Sequence, residues 1–243
     1  MTTMTLTTPS LALPYEVSFD GPGLWYATRA TGLVALLLLT LCVTLGVLTT
    51  VRFASPKWPR FVTVGLHNNT SLLTAVFLAL HVLTTVVDSY TDIRPTDAFL
   101  PFAANYRPLW LGLGTVASDL LIALIVTSLV RVRMGHRGWR AIHWLAYVSW
   151  PVAVVHALGT GTDPATVWGA ALVLVCLGAV LGASVWRLAA GWPERRGLRL
   201  AVATAVVAVV LAGWGWASSG PLAPGWSQRA LAPVPPASAM GAS

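Results

Sequence analysis

The fold is decided by residues 61–87, which read FVTVGLHNNTSLLTAVFLALHVLTTVV. This block contains no Asp, Glu, Lys or Arg, and its apolar residues follow one another instead of alternating with polar ones. A helix needs about 20 mostly apolar residues, at about 1.5 Å of rise each, to cross a hydrocarbon core of about 30 Å. The block is therefore long enough to span a membrane, and His67 and His81 lie inside it.

Five further blocks of similar length and composition lie on either side of this one. The whole chain of 243 residues is 56% hydrophobic and 9% charged, whereas about 25% of the residues of a soluble domain are charged. No connection between the blocks is long enough for a soluble domain. The sequence predicts an all-α, multi-pass protein of the cell membrane, a bundle of six helices that span Leu24–Thr50, Phe61–Val87, Leu109–Val130, Arg140–Gly159, Ala165–Arg187 and Arg199–Ala217.

Basic residues are concentrated in alternate connections. The connections after the first, third and fifth spans contain Arg52, Lys57, Arg60, Arg131, Arg133, Arg137, Arg140, Arg187, Arg195, Arg196 and Arg199, while the others contain Asp88, Asp92, Asp97 and Asp163. Basic loops stay on the cytoplasmic side, so both termini are expected outside. This distribution also explains the net charge of +7 without nucleic acid, which we do not expect as a partner.

Four of the five histidines lie within predicted spans. His67 and His81 are fourteen residues apart on the second span, and His143 and His156 are thirteen apart on the fourth. An ionisable residue inside a membrane indicates function by default, and neutral imidazole is the commonest metal ligand. Both spans run outward, so His67 should lie level with His143, and His81 with His156, with about 20 Å between the two levels. Hydrogen bonds between helices are the alternative explanation for these side chains.

The spacing on the fourth span is less regular than that on the second. Fourteen residues bring His81 to within about 40° of the direction of His67, whereas thirteen leave His156 about 140° away from His143 in an ideal helix. Pro151 lies between them, and a proline inside a helix distorts the turn. We expect local twisting at Pro151 to re-aim His156.

Two other patterns argue against other cofactor chemistry. Cys42 and Cys176 lie in different spans, without a CxxC or CxxCH motif, which excludes the usual covalent haem attachment and favours packing roles for both. The run Gly112-x-Gly114-x-x-Ala117 matches a dinucleotide fingerprint on paper. It lies inside an apolar span with no strand before it, so we do not interpret it as a nucleotide site.

The order and spacing of the four histidines resemble the ferric reductase-like transmembrane domain over about Leu24–Arg187, the first five spans. This superfamily contains metalloreductases, NADPH oxidases and haem-only bacterial members. The resemblance implies two b-type haems, one held by His67 and His143 near the inner face and one by His81 and His156 near the outer face. The resemblance covers the haem-binding domain 24–187. The charge distribution and the Pro-, Ala- and Ser-rich composition after Ser218 add three further segments: an external segment 1–23, a loop and sixth span 188–217, and a disordered external tail 218–243.

The resemblance also bears on partners. The oxidase and metalloreductase members have a cytosolic flavin and NADPH domain after the haem helices, for which this chain has no room. We therefore expect no flavin or NAD(P) site here, and a likeness to the bacterial haem-only members. Apart from membrane lipid, the expected partner is a separate flavoprotein, either an extracytoplasmic FMN-binding protein or a cytosolic reductase, or else quinol.

Three charged residues near the histidines have open roles. Arg140 precedes His143 by three residues and could bind a haem propionate, since guanidinium pairs well with carboxylates, or could anchor the helix at the interface. Arg29 could pair with an outer-haem propionate or extend to the outer surface. Asp119 in the third span is expected to be bonded to a neighbouring helix, with proton transfer as the alternative.

Three functions compete at this point. The first is transmembrane electron transfer by a di-haem cytochrome, an oxidoreductase subunit without its own catalytic residues. The second is a self-sufficient ferric or metal reductase at the outer face, with residues 88–108 as the only sizeable candidate for a substrate site. The third is a non-redox scaffold or carrier in which the histidines bond between helices. The absorption spectrum of the purified protein would separate the third from the other two.

Overall fold

The structure is a computed structural model that describes residues 22–55, 57–88, 93–160, 163–190 and 193–226. Asp92, Trp192, and most of the expected external segment and tail (residues 1–21 and 227–243) lie outside the described residues. The regular secondary structure of the described ranges is helical, with no strand beyond an isolated bridge between Ser55 and Trp58. The α-helices are α1 (Pro22–Thr50), α2 (Arg60–Val87), α3 (Pro108–Leu129), α4 (Arg131–His143), α5 (Ala146–Thr160), α6 (Val167–Ala189) and α7 (Arg196–Ser219).

Five of these helices are each long and apolar enough to cross a membrane: α1, α2, α3, α6 and α7. The pair α4 and α5 passes the same test only when taken together as one bent span. Large apolar side chains face outward, for example Leu72 at 69% exposure and Val207 at 57%, as lipid contact requires. The predicted all-α, multi-pass membrane fold is confirmed for the described part of the chain.

The fourth span differs from its sequence prediction. Instead of one helix over Arg140–Gly159, α4 begins at Arg131 and ends at His143, and α5 follows after Trp144 and Leu145 with a bend of 43°. Backbone bonds to the third residue back, such as Leu145 N to Ile142 O at 2.8 Å, tighten the chain here. Pro151 lies inside the continuous helix α5, so the bend of this span is at the break and not at the proline where we expected local twisting.

Contacts between helices show which of them run parallel and which run antiparallel. Ser149 Oγ of α5 donates to Ala117 O of α3, so these helices face each other at mid-length, and Trp150 Nε1 of α5 donates to Thr40 Oγ1 of α1 at 2.9 Å. Because Arg29 near the start of α1 pairs with Asp163 just after α5, α1 and α5 are antiparallel. The contacts of α1 with α2 also run in reverse order, so α2 and α5 point the same way, as predicted.

The core of the bundle lies between α1, α5 and α6. Its buried cluster consists of Leu36, Val43, Trp150, Val154, Leu158, Val173 and Cys176. Cys176 is 1% exposed, which agrees with the packing role predicted for it. The helix α7 is largely exposed, and its C-terminal end contacts the bundle through Trp216, which stacks on Trp110 at 5.6 Å.

The residues after α7 differ from the expected disordered tail. Residues 220–226 form a turn that returns to the bundle. Trp226 packs on Trp110, with 5.5 Å between ring centres, and its Nε1 donates to Gly159 O at 3.3 Å. The described start of the expected tail is therefore packed against the ends of α3 and α5.

Candidate functional site

The four span histidines form two pairs between the second and fourth spans. The ring centres of His67 and His143 are 6.3 Å apart, with 78° between the ring planes. Those of His81 and His156 are 6.4 Å apart, at 75°. These are the pairings that the sequence predicts. The fifth histidine, His136, lies outside both pairs, with its ring 5.7 Å from that of Trp139.

Three of the four rings are fixed by backbone carbonyls of a neighbouring helix. His67 Nδ1 bonds to Cys42 O at 3.0 Å, His81 Nδ1 to Thr28 O at 2.8 Å and His156 Nδ1 to Trp110 O at 2.8 Å. A carbonyl oxygen can only accept, so each Nδ1 holds the proton and each Nε2 keeps its lone pair for a metal. Such outer partners of ligand histidines set the tautomer and the ring orientation.

The separations of the pairs fit two imidazoles on opposite sides of one metal ion. Metal–nitrogen bonds of about 2.0–2.1 Å, with each ring centre about 1 Å behind its nitrogen, place the centres roughly 6 Å apart. Each pair supplies only two donors, and among the described residues no group of three or more His, Cys, Asp or Glu side chains could hold a metal ion. A bare zinc site takes three or four protein ligands. The pairs therefore fit a metal whose other ligands come from a macrocycle.

Glycines on α1 and α3 give the rings their space, and the sequence analysis did not identify them. A Cβ at Gly32 would lie 2.8 Å from His81 Cε1, one at Gly114 would lie 2.5 Å from His156 Cε1, and one at Gly46 would lie 3.4 Å from His67 Cε1. A signal was present in the sequence, because Gly32 and Gly46 are fourteen residues apart, like His67 and His81 on the antiparallel α2. Gly114 belongs to the pattern that we rejected as a nucleotide site, and its role is close packing.

A cavity of about 280 Å³ borders the His81–His156 pair. Its lining is mostly apolar, from α1, α2, α3, α5 and α6, and it includes Thr74 and Ser118 as well as Gly32 and Gly114, which lie next to the rings. A largely apolar cavity with two inward-facing imidazoles fits a flat, hydrophobic cofactor better than a polar ligand.

Arg29 lies at the edge of this cavity with a protein partner. Its Nε donates to Asp163 Oδ2 at 2.9 Å, and its guanidinium lies over the ring of Trp25 at 4.0 Å. The sequence analysis weighed a propionate partner and an outward-extended side chain, but not this ion pair. The pair also ties the start of α1 to the segment that follows α5.

The other two charged candidates, Arg140 and Asp119, are not held by an ion pair like that of Arg29 among the residues that the structure describes. Arg140 is exposed, at the end of the bundle where His67 and His143 lie. Asp119 on α3 is half-buried, and the described part of the chain offers it no hydrogen bond or ion pair. The interhelical bond that we expected for Asp119 is therefore not formed among the described residues.

The connection before α3 covers the end of the bundle near His156. The hydrogen bond from the Arg94 guanidinium lowers the pKa of Asp97, and Thr115 Oγ1 of α3 donates to Asp97 O at 3.0 Å. Buried Arg107 donates to Thr160 O at 2.8 Å, which places a cation at the C-terminal end of α5. These contacts hold the turn of α5 that contains His156, and the sequence analysis missed them because they join segments far apart in the chain.

Comparison with known proteins gives one match. A family model described as ferric reductase like transmembrane component matches residues 31–154. The matched range contains His67, His81 and His143, and it ends two residues before His156. No curated protein and no solved structure matches the chain significantly.

Proposed function

This chain belongs to the ferric reductase like transmembrane component family, and from that premise we propose that it is a b-type membrane cytochrome that transfers electrons across the bilayer. The single observation that supports the proposal most is the presence of two histidine pairs, with ring centres 6.3 and 6.4 Å apart. Structural histidines that bond helices together have no reason to repeat the same separation twice.

In this proposal each pair holds one haem iron through its two Nε2 atoms. Cys42, Thr28 and Trp110 supply the carbonyls that keep Nδ1 protonated in three rings, and Gly32 and Gly114 leave room for the rings. When bound, haem supplies one-electron redox chemistry. The chain supplies the axial ligands, a dry surrounding and fixed positions. The sequence contains no CxxCH motif for covalent attachment, and b-type haem is what the family resemblance implies.

The arrangement of the pairs suits transfer across a membrane. His67 and His81 lie on one continuous helix, fourteen residues apart, which corresponds to about 20 Å along its axis. The His67–His143 pair is nearest the basic connections, which face the cytoplasm by the positive-inside rule. A cytosolic flavin reductase or quinol would be the donor. An acceptor beyond the other face, such as an extracytoplasmic flavoprotein, would receive the electrons. Arg140 is the candidate propionate partner near His143, whereas Arg29, the other candidate, is paired with Asp163.

The two alternatives draw less support. A metal reductase would need free acidic groups for a cationic substrate near His81 and His156, yet Asp163 is paired with Arg29 and Asp97 with Arg94. A non-redox scaffold would use the imidazoles to bond helices together. Three of them already do so through Nδ1, which leaves their Nε2 atoms without a structural task.

The proposal is tested by the haem content of the purified protein. After expression with ample haem supply, the dithionite-reduced protein should show b-type bands at about two haems per chain. The variants His81→Ala and His156→Ala should each lose one haem, and the control His136→Ala should keep both, because His136 belongs to neither pair. A colourless preparation, or equal loss in all three variants, would refute it.

A further inference from the structure

One of the four span histidines is held differently from the others. His143 Nδ1 is buried and has no hydrogen-bond partner among the described residues, whereas the other three Nδ1 atoms bond to backbone carbonyls at 2.8–3.0 Å. His143 is also the last residue of α4, directly before the break at Trp144 and Leu145. Neither a carbonyl nor a continuing helix therefore fixes its ring.

A tryptophan takes the place of the missing hydrogen bond. The indole of Trp139 is stacked on the ring of His143, with 4.8 Å between the ring centres and 25° between the planes. Trp139 is four residues before His143, and side chains at this spacing meet on one face of a helix. Its own orientation is fixed from α3, because Trp139 Nε1 donates to Ser128 Oγ at 3.2 Å.

We propose that Trp139 is the positioning residue for His143, and that the axial bond of His143 is the most easily opened of the four. The proposal rests on the proposed function, since it concerns how one haem ligand is held. Stacking limits the tilt of the imidazole but, unlike an Nδ1–H···O=C bond, neither fixes its rotation about the ring normal nor raises its donor strength.

A second tryptophan near His143 serves as the matched control for the stacking of Trp139 on His143. Trp144 lies one residue after His143, is 52% exposed and contacts Tyr147 and Arg187. The variant Trp144→Ala therefore removes an indole at the same level of the bundle without touching the stack. Trp139→Phe keeps an aromatic face for His143 and loses only the bond to Ser128.

The experiment measures carbon monoxide binding to the dithionite-reduced holoprotein, because ferrous haem with two bound imidazoles leaves no position for the gas until one ligand leaves. We expect little binding in the native protein, in Trp144→Ala and in Trp139→Phe. In Trp139→Ala one of the two haems should bind carbon monoxide or be lost, and its midpoint potential should rise, since a weaker axial donor stabilises the ferric state less.

The outcomes separate the two proposals. A native protein without haem refutes the proposed function. Two haems in Trp139→Ala with unchanged gas binding and potentials refute the role of Trp139 alone, as does an equal response in Trp144→Ala. If Trp139→Ala does not accumulate, Trp139→Leu, which keeps an apolar side chain but no aromatic face for His143, is measured instead; partial gas binding at one haem supports the role, and native behaviour overturns it.

Discussion

A histidine inside a bilayer has two ring nitrogens that must both be accounted for, because water is not available to either. In His67, His81 and His156 the backbone of α1 or α3 accepts from Nδ1, so that Nε2 is the nitrogen that keeps its lone pair. The tautomer of each of these three rings is therefore set by the fold and not by the cofactor. His143 is the exception, and its ring depends on Trp139.

The glycines behind the rings give a graded prediction. Overpacking typically costs about 1–3 kcal/mol. We expect Gly114→Ala and Gly32→Ala each to weaken binding of the haem between His81 and His156, because their Cβ atoms would lie 2.5 and 2.8 Å from a ring carbon. Gly46→Ala, at 3.4 Å from His67, should be close to native. The measurement is haem content per chain and the temperature at which the haem absorption is lost.

A fourth glycine provides the control for this series. Gly178 on α6 has open space where a Cβ would be, so Gly178→Ala reports only the gain in helix propensity, about 1 kcal/mol. If Gly178→Ala lost as much haem as Gly114→Ala, the effect would not come from crowding of the ring.

The break in the fourth span decides where its two histidines point. The continuous helix α2 aligns His67 and His81 by its periodicity alone. The other span needs the 43° bend after His143, because thirteen residues of ideal helix would leave His143 and His156 about 140° apart. One irregular element therefore completes both pairs.

Insertion of one residue at the break would change the orientation of α5 relative to α4. Insertion of an alanine between Leu145 and Ala146 would rotate the residues after it by about 100°, which turns His156 away from His81. We expect this protein to keep one haem, that of His67 and His143, and to lose the other. The measurement is haem stoichiometry from the reduced spectrum.

Two controls belong to the insertion. An alanine inserted after Pro193, in the connection before α7, should leave both haems, since the helices of both pairs precede it. Pro151→Ala should also keep both, because the break lies upstream of Pro151. Loss of a haem in Pro151→Ala would restore our original hypothesis that the proline re-aims His156.

Across the whole molecule, charge divides the two ends of the bundle. The connections at the end near His67 and His143 are rich in arginine and lysine, whereas those at the other end contain Asp88, Asp97 and Asp163 with only Arg94 and Arg107 as bases. The helix directions place one histidine pair near each end. Under the proposed function, the orientation of the bundle in the membrane would therefore determine which pair is nearer a cytoplasmic electron donor.

Orientation can be measured with single cysteines. In a background of Cys42→Ala and Cys176→Ala, Ser219→Cys at the end of α7 should react with a membrane-impermeant maleimide in intact cells. Ser55→Cys, in the basic connection after α1, should react only in inverted vesicles. Both positions are exposed, so access depends on the side of the membrane. The reverse pattern would contradict the N-out, C-out topology.

The sequence alone determined the class of fold and the pairing of the histidines. Both follow from local quantities, namely the length of the apolar blocks, the sign of charge in each connection and the number of residues between His67 and His81 or His143 and His156. Because successive spans cross the membrane in opposite directions, the second and fourth spans run the same way, and the position of each histidine along its span gives its depth in the membrane. The two pairs could therefore be predicted without coordinates.

Only the tertiary structure decided what lies behind each ring. The carbonyls of Thr28, Cys42 and Trp110 are backbone atoms, identical in every residue, and only the packing of α1 and α3 selects them. The pairing of Arg29 with Asp163 joins residues 134 apart in the chain. No periodicity or composition relates such atoms, because their distances are fixed by how helices dock and not by the chain between them.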